Sequence, residues 1–233
     1  MKLPRITAVF LSFFLTSASA AQIQTPLHVG AFGGIQEPLR PIPVPPEFKS
    51  FVPEGLILRA VLQTKMSSGG ETVLLYDNGE DIFPEVHLHA IRQRKDAQLL
   101  DGAIAGVAGL LPIQTQKQNQ VLAFAYHVGA DGADTRFLIF ARVEDSYKTI
   151  FEESTESGQM RVLRQSPLKF ELWSADSSLD KGETCVWCPH RYRIKTYVLH
   201  ADKFLVKSEH ITETALDPAD VAAQPFVLTS NKK

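Results

Sequence analysis

The two cysteines of this chain are the residues whose spacing most directly indicates chemistry. They lie in the segment Cys185-Val-Trp-Cys188-Pro-His-Arg-Tyr192, between two stretches with the composition of β-strands. A Cys-x-x-Cys pair can close a short disulfide, exchange disulfides with another protein, or bind a metal ion. The surrounding sequence favours the first of these uses.

We expect a disulfide between Cys185 and Cys188, because residues 1–20 have the pattern of an export signal, described below, and exported cysteines are usually oxidised. Thiol-disulfide exchange generally requires the first cysteine at the N-terminus of a helix that follows a strand. Here Pro189 and the residues after it lead into a predicted strand. Pro189 also stands where covalent haem attachment requires a histidine. The pair is therefore predicted to brace a loop, and an envelope thiol-disulfide oxidoreductase is the alternative.

Metal binding is a further alternative for the same segment. Cys185, Cys188 and His190 would supply three ligands of a tetrahedral zinc site. His87 and His89 lie two residues apart on a predicted strand, so they share one face and could also chelate. The chain has a single Cys-x-x-Cys pair, and the zinc signal is therefore weaker than in proteins with two such pairs.

Two acidic loops are candidate calcium sites. One offers Asp131 and Asp134, and the other offers Asp77, Asn78 and Asp81. Neither loop repeats oxygen ligands at its first, third and fifth positions, as a calcium loop does. Since Asp, Asn and Gly are also the residues that tight turns require, we expect turns here, with no cofactor bound.

Aromatic and polar residues near the cysteines are candidate ligand contacts. Trp187 lies between the cysteines, and His190 and Tyr192 follow them. A tryptophan held in a constrained loop can anchor a partner, which here would be a protein or a carbohydrate. The alternative is that these side chains fold back onto the core.

The sequence contains no recognisable catalytic motif, whether Gly-x-Ser-x-Gly, His-Glu-x-x-His or a glycine-rich phosphate loop. A hydrolase that uses two carboxylates has no sequence motif, so it stays an alternative. We predict no catalytic residue. The expected function is a non-catalytic binding or structural module, with the oxidoreductase, a metal-binding protein and such a hydrolase as alternatives.

The N-terminal residues indicate export. Residues 1–20 carry Lys2 and Arg5, then a short apolar run, then small residues that end at Ala20. This order is typical of a cleavable signal peptide, so we expect a secreted or periplasmic protein cleaved near Ala20. No later stretch is long and apolar enough to span a membrane. The formal charge of −2 and the lack of a basic block argue against nucleic-acid binding.

The rest of the chain is predicted to contain three parts. Residues 21–54 are rich in proline and should form an extended arm, either a spacer or a strap across the domain. Residues 55–210 alternate short apolar runs with turn residues, which predicts an antiparallel all-β domain. Residues 211–233 form a C-terminal tail, in which Asp217-Pro218 indicates the start of a short helix.

A unit of about 50 residues recurs three times in the β domain. Each unit has a strand that ends in an aromatic residue, then an acidic loop, then a hairpin. The aromatic residues are Tyr76, Tyr126 and Trp173, and the predicted hairpin turns are Lys95-Asp96, Asp145-Ser146 and Ala201-Asp202. Three repeated hairpin units are therefore expected.

The spacing of these units and the Asp131-Gly132 turn before an apolar strand resemble the FG-GAP-like β-propeller blades of secreted bacterial proteins of uncharacterised function. The resemblance implies propeller-like blades, although the chain lacks that family's fuller run of calcium-binding aspartates. A trefoil-like closed barrel would satisfy the same threefold repetition and is the alternative architecture.

Overall fold

The computed structural model describes residues 39–81, 83–115, 119–128, 134–180, 185 and 188–222. Within these residues the chain forms twelve strands, one short α-helix and two short 3-10 turns, at Pro46–Phe48 and Ser177–Leu179. The elements are β1 (Ile57–Thr64), β2 (Glu71–Asp77), β3 (Glu85–Arg92), β4 (Lys95–Ala103), β5 (Gly106–Gln114), β6 (Gln120–Val128), β7 (Asp134–Val143), β8 (Ser146–Glu156), β9 (Gln159–Gln165), β10 (Leu168–Ala175), β11 (Tyr192–His200), β12 (Lys203–Ile211) and α1 (Pro218–Ala222). No helix in the described part is long and apolar enough to cross a membrane.

The strands form three separate four-stranded antiparallel sheets, each made of consecutive strands. The first sheet contains β1–β4, the second β5–β8 and the third β9–β12. The predicted all-β fold with three repeated units is therefore confirmed. None of the three described sheets closes on itself, so the trefoil-like barrel does not describe this part of the chain.

The repeat is confirmed in detail. The strands that end in the predicted aromatic residues are the second strands of their sheets, β2, β6 and β10. The predicted hairpins are the third and fourth strands, which turn at residues 93–94, 144–145 and 201–202. The turns predicted at Lys95-Asp96 and Asp145-Ser146 lie one or two residues after the observed turns. The residues that adopt left-handed conformations there are Gln93, Arg94 and Glu144, and these residue types are not typical of turns.

Each fourth strand also carries a β-bulge at its fifth residue. The extra, unpaired residue is Leu99 in β4, Ile150 in β8 and Lys207 in β12. Leu99 packs against the core between the first and second sheets, and Ile150 against the core between the second and third. Lys207 occupies the equivalent position in the third sheet and is exposed. Because the bulge occurs at the same position in all three sheets, the repeat is present in the backbone as well as in the sequence.

The second sheet is buried on both faces. Alternate residues of β6 point to opposite sides, so Leu122 and Phe124 pack toward the first sheet while Val121 and Ala123 pack toward the third. This explains why β6 is buried almost continuously rather than at every second position. The core on the side of the third sheet contains a cluster of four rings in edge-on and stacked contacts, namely Phe151, Phe170, Tyr197 and Phe204.

Tyrosine-carboxylate hydrogen bonds join adjacent sheets at both of these cores. Tyr147 of β8 donates to the buried Glu71 at the start of β2, over 3.1 Å. Tyr197 of β11 donates to Glu153 of β8, over 2.9 Å. Hydrogen bonds to a charged acceptor are stronger than those between neutral groups. These two hydrogen bonds therefore help to fix the relative positions of the adjacent sheets, which otherwise pack through apolar side chains.

The segments outside the strands cover the outer faces of the stack. The described part of the proline-rich arm packs Ile42, Phe48 and Val52 on the outer face of the first sheet, where the Ile42 N–H donates to the Leu58 carbonyl. This agrees with the strap interpretation of the arm. On the third sheet, Val221 of α1 packs against Tyr192 and Ile194. Asp217 caps α1 by accepting from the Ala219 N–H, so the predicted short helix is confirmed.

The sequence does not predict β5 as a strand. Its residues include Gly106, Gly109 and Pro112, which weaken a strand pattern. The strand is tolerated because β5 lies at the edge of the second sheet, where proline does not remove a hydrogen bond to a second neighbour.

The link between the second and third sheets yields a stability prediction at Gly158. A Cβ atom there would lie far inside van der Waals contact with the Trp173 carbonyl oxygen and the Thr155 side chain. We expect Gly158→Ala to lower the free energy of unfolding by about 1–3 kcal/mol, because the backbone would have to move. Gly102→Ala is the matched control, since a Cβ there meets no atom within 4 Å. Urea denaturation measures both variants, and equal midpoints would contradict the packing described here.

Candidate functional site

The cysteine pair forms the predicted disulfide. Cys185 and Cys188 are bonded, with their Cα atoms 5.1 Å apart, and the Cys188 N–H donates to the Cys185 carbonyl over 2.9 Å. After Cys188 the chain passes through Pro189 to His190, which pairs with Leu216, and then enters β11. Because the sulfurs are bonded to each other, they are not thiolate ligands in this oxidised form. Trp187 lies outside the described residues.

His190 is held in the interior by Asp180. Its ring is 1% exposed, and Nδ1 lies 2.7 Å from Asp180 Oδ2, while the other carboxylate oxygen accepts from the Arg191 N–H. The second ring nitrogen, Nε2, is buried and has no hydrogen-bond partner among the described residues. This pair fixes the entry into β11 directly after the disulfide.

Tyr192 lies two residues further on and is also fully buried. Its hydroxyl group has no hydrogen-bond partner in the described part of the chain. Burial raises the pKa of Tyr192, and the negative charges of Asp217, Asp180 and Glu156 raise it further. A ligand would have to enter beneath the surface to touch His190 or Tyr192, and their predicted role as ligand contacts stays a prediction.

The outer face of the first sheet carries a second group of chemically active side chains. His87 and His89 point to one face of β3, as predicted, and their ring centroids are 6.4 Å apart. Nδ1 of each ring lies within hydrogen-bond distance of a different aspartate carboxylate of β4: His87 lies 2.9 Å from Asp101, and His89 lies 2.8 Å from Asp96. The two histidines therefore form two separate histidine-aspartate pairs.

Tyr76 forms the floor of this group. Its ring lies 5.1 Å from the His87 ring and 5.2 Å from the His89 ring, and its side chain is almost fully buried. Burial raises the pKa of Tyr76 to about 12, with a further contribution from the charges of Asp96 and Asp101. The tyrosine thus stays protonated at neutral pH and limits the rotation of both imidazole rings.

Among the described residues, only one of the two pairs has a third potential metal ligand nearby. Ligand atoms of Glu85, His87 and Asp101 all lie within 4.8 Å of one another. The sequence indicated His87 as a ligand with His89 as its partner, whereas the two carboxylates of this group could not be identified from it. Asp101 lies directly opposite His87 across the β3–β4 ladder, so the hairpin register was the signal that would have revealed it.

The described acidic loop forms a turn, as expected. Asp77 accepts from the Arg59 guanidinium over 2.7 and 3.0 Å and from the Gly79 N–H. Asn78 accepts from the N–H groups of Glu80 and Glu85. In the other loop Asp131 lies outside the described residues, and Asp134 is the exposed first residue of β7. Calcium binding at that second loop stays an alternative to the predicted turn.

A cleft of about 710 Å³ lies between the second and third sheets, at the end where their hairpins turn. Its walls are largely aliphatic, and polar side chains stand among them. The lining residues are Met66, Thr115, Asn119, Gln120, Val121, Ala141, Arg142, Val143, Ile150, Ser166, Pro167, Leu168, Val198, Leu199, His200, Ala201 and Asp202. Arg142 is held in place by Asp145, at 3.0 Å, and by the Tyr147 ring, whose centroid is 5.6 Å away.

No protein family, curated protein or solved structure gives a significant match to this chain. The resemblance to FG-GAP-like propeller blades therefore stays a prediction. The function proposed below is therefore inferred from the geometry of the cleft.

The disulfide gives a direct chemical test. The purified protein should show no reactive thiol under denaturing conditions without reductant and two thiols after reduction, because both cysteines are bonded. Titration with a thiol-specific chromogenic reagent measures this. Two thiols in the unreduced, air-exposed protein would contradict a structural disulfide.

Tyr192 gives a pH-dependent test. Tyr192→Phe removes a buried hydroxyl group without a described partner, so we expect the free energy of unfolding at pH 7 to stay equal or rise. The pKa of Tyr192 is raised in the folded state, so the unfolded state loses its proton first. Stability of the wild type should therefore fall as the pH rises above about 10, and the advantage of Tyr192→Phe should widen there.

Tyr197→Phe is the matched control at pH 7 only, because burial and the hydrogen bond to Glu153 also raise the pKa of Tyr197. The Tyr197 hydroxyl donates to Glu153, so this variant should lose about 1–2 kcal/mol at pH 7. Urea denaturation at pH 7 measures both variants, and at several pH values above 9 it compares Tyr192→Phe with the wild type. If Tyr192→Phe is as destabilising as Tyr197→Phe, the Tyr192 hydroxyl has a partner and the description of this interior is wrong.

Proposed function

We propose that this protein is an exported, non-catalytic binding module that holds an extended segment of another protein in the cleft between its second and third sheets. The observation that carries the proposal is the cleft itself. Its volume of about 710 Å³ falls within the range typical of ligand sites, about 300–1,000 Å³. A site for a partner is therefore available without rearrangement of the sheets.

The lining favours a peptide over a carbohydrate. Sugars commonly bind by stacking their C–H faces on the rings of Phe, Tyr or Trp, and none of these three residue types is among the described residues that line this cleft. Val143, Ile150 and Leu199 suit the aliphatic side chains of a partner. The Asn119 side chain offers an amide group that can hydrogen-bond the backbone of an extended segment. The Gln120 amide instead accepts from the Lys65 N–H and donates to Gln114. A protein partner is accordingly preferred to the carbohydrate that the sequence also allowed.

The cleft does contain residue types used in hydrolysis, and their arrangement supports a non-catalytic role. Ser166, His200 and Asp202 all line it and are exposed. A serine nucleophile requires a histidine within hydrogen-bond distance, oriented in turn by a carboxylate. Among the described residues no hydrogen bond joins any two of these three side chains, so nothing activates the Ser166 hydroxyl group.

Export is part of the proposal. The order of charged, apolar and small residues in positions 1–20 supports it, and these positions lie outside the described residues. The Cys185–Cys188 disulfide is compatible with an oxidising compartment. We therefore infer a secreted or periplasmic protein.

A random peptide library displayed on phage and selected on the immobilised protein tests the binding function. We expect enrichment of peptides with Leu, Ile or Val anchors, and binding of the synthetic peptides with micromolar affinity, measured by fluorescence anisotropy. Val143→Lys places a charge in the cleft and should weaken binding at least tenfold, because an aliphatic anchor would meet an ammonium group.

Leu205→Lys is the matched control, because Leu205 is 56% exposed on β12 and does not line the cleft. It should leave the affinity within about twofold of the wild type. Thermal melts establish that both variants are folded. If no peptide is enriched, or if Val143→Lys binds the selected peptides as well as Leu205→Lys does, the proposed function is wrong.

A further inference from the structure

We propose that Glu85, His87 and Asp101 form a binding site for a divalent transition-metal ion, with zinc as the preferred metal. The site lies on the outer face of the first sheet. It shares no residue with the cleft and does not depend on the peptide-binding function.

The three ligands are placed by a single hairpin. His87 and Asp101 face each other across the ladder of β3 and β4, and Glu85 lies two residues before His87, on the same face. The start of β3 is fixed by Asn78, whose side-chain oxygen accepts from the Glu85 N–H over 3.1 Å. The ligand atoms, all within 4.8 Å of one another, therefore lie on a rigid element, which lowers the cost of assembling them.

The His87 ring is already oriented for binding. It packs almost parallel to the Tyr76 ring, with an interplanar angle of 23°, and its side chain is 15% exposed. This ring contact limits rotation of the imidazole and so fixes the direction of its nitrogen lone pairs. Because Nδ1 lies next to Asp101, a bound ion would take the position of the proton between them.

The charge at this group also favours a cation. Glu85 and Asp101 bring two carboxylates to one histidine. The Asp101 carboxylate contacts only His87 and the Gln98 amide, and the Glu85 carboxylate has neither a hydrogen bond nor an ion pair within the described ranges. No lysine or arginine of the described residues neutralises either group. A divalent ion would supply the positive charge that the protein does not.

The donor atoms select the class of metal. One imidazole nitrogen and two carboxylate oxygens suit zinc and neighbouring transition metals, since imidazole binds these better than magnesium or calcium. Calcium takes six to eight oxygen ligands and magnesium demands an octahedral oxygen shell. With three protein ligands, water would complete a tetrahedral zinc shell.

Isothermal titration of the EDTA-treated, oxidised protein with zinc chloride tests the site. We expect one equivalent of zinc to bind with micromolar affinity, and calcium and magnesium not to compete at a hundredfold excess. Glu85→Gln and Asp101→Asn keep the shape of each side chain and should each weaken zinc binding at least tenfold. Thermal melts establish that these variants are folded.

The neighbouring histidine-aspartate pair supplies the matched control. His89 and Asp96 have almost the same spacing, and the His89 ring lies at almost the same distance from the Tyr76 ring, but no third ligand in the described part of the chain is near them. His89→Ala and Asp96→Asn should therefore leave zinc affinity within twofold of the wild type. A double variant with serine at positions 185 and 188 should also bind zinc normally.

Three results would overturn the proposal: no saturable binding of zinc, loss of binding in His89→Ala equal to that in Glu85→Gln, or loss of binding in the double serine variant. The last result would assign the metal to the cysteine loop instead. Since the titration uses no peptide, it can fail while the cleft still binds one, and the reverse also holds.

Discussion

A β-sheet that is apolar on both faces needs another element packed on each face. This constraint determines the arrangement of the molecule. The second sheet is covered by the first and the third. The outer faces of the first and third sheets cannot be covered in the same way, so the chain uses its non-strand segments. The proline-rich arm covers the first sheet, and α1 with the residues around Leu216 covers the third. Stacked repeats generally need such terminal covers to stay soluble.

The disulfide and the Asp180–His190 pair belong to this covering of the third sheet. The bridge between His190 and Leu216 attaches the C-terminal segment to the strand that follows the disulfide. The disulfide closes a loop too short to contribute much chain entropy, so its physical role is local. It fixes the direction in which the chain enters β11, and with it the buried positions of His190 and Tyr192.

Much of the fold could be predicted from the sequence, because alternating apolar residues and turn residues mark strands locally. Strand β5 could not be predicted, since Gly106 and Pro112 are acceptable only at a sheet edge, and edge position is a property of the assembled sheet.

The candidate metal site could likewise be predicted only in part. His87 and His89 could be assigned to one face from their spacing alone. Their aspartate partners depend on how β4 pairs with β3, and the bulge at Leu99 shifts that pairing. The burial of His190 also depends on tertiary contacts, because the short segment after Cys188 has no periodicity.

The polarity of the bulge residue limits how many such sheets can follow one another. Leu99 and Ile150 place an aliphatic side chain against a core shared with the next sheet, whereas the equivalent residue of the third sheet is Lys207. An ammonium group could not enter such a core without losing its hydration. An aliphatic residue at the fifth position of a sheet's fourth strand thus indicates that another sheet packs on it, and a charged residue indicates that none does. In proteins built from more or fewer such units, this residue would identify the last sheet.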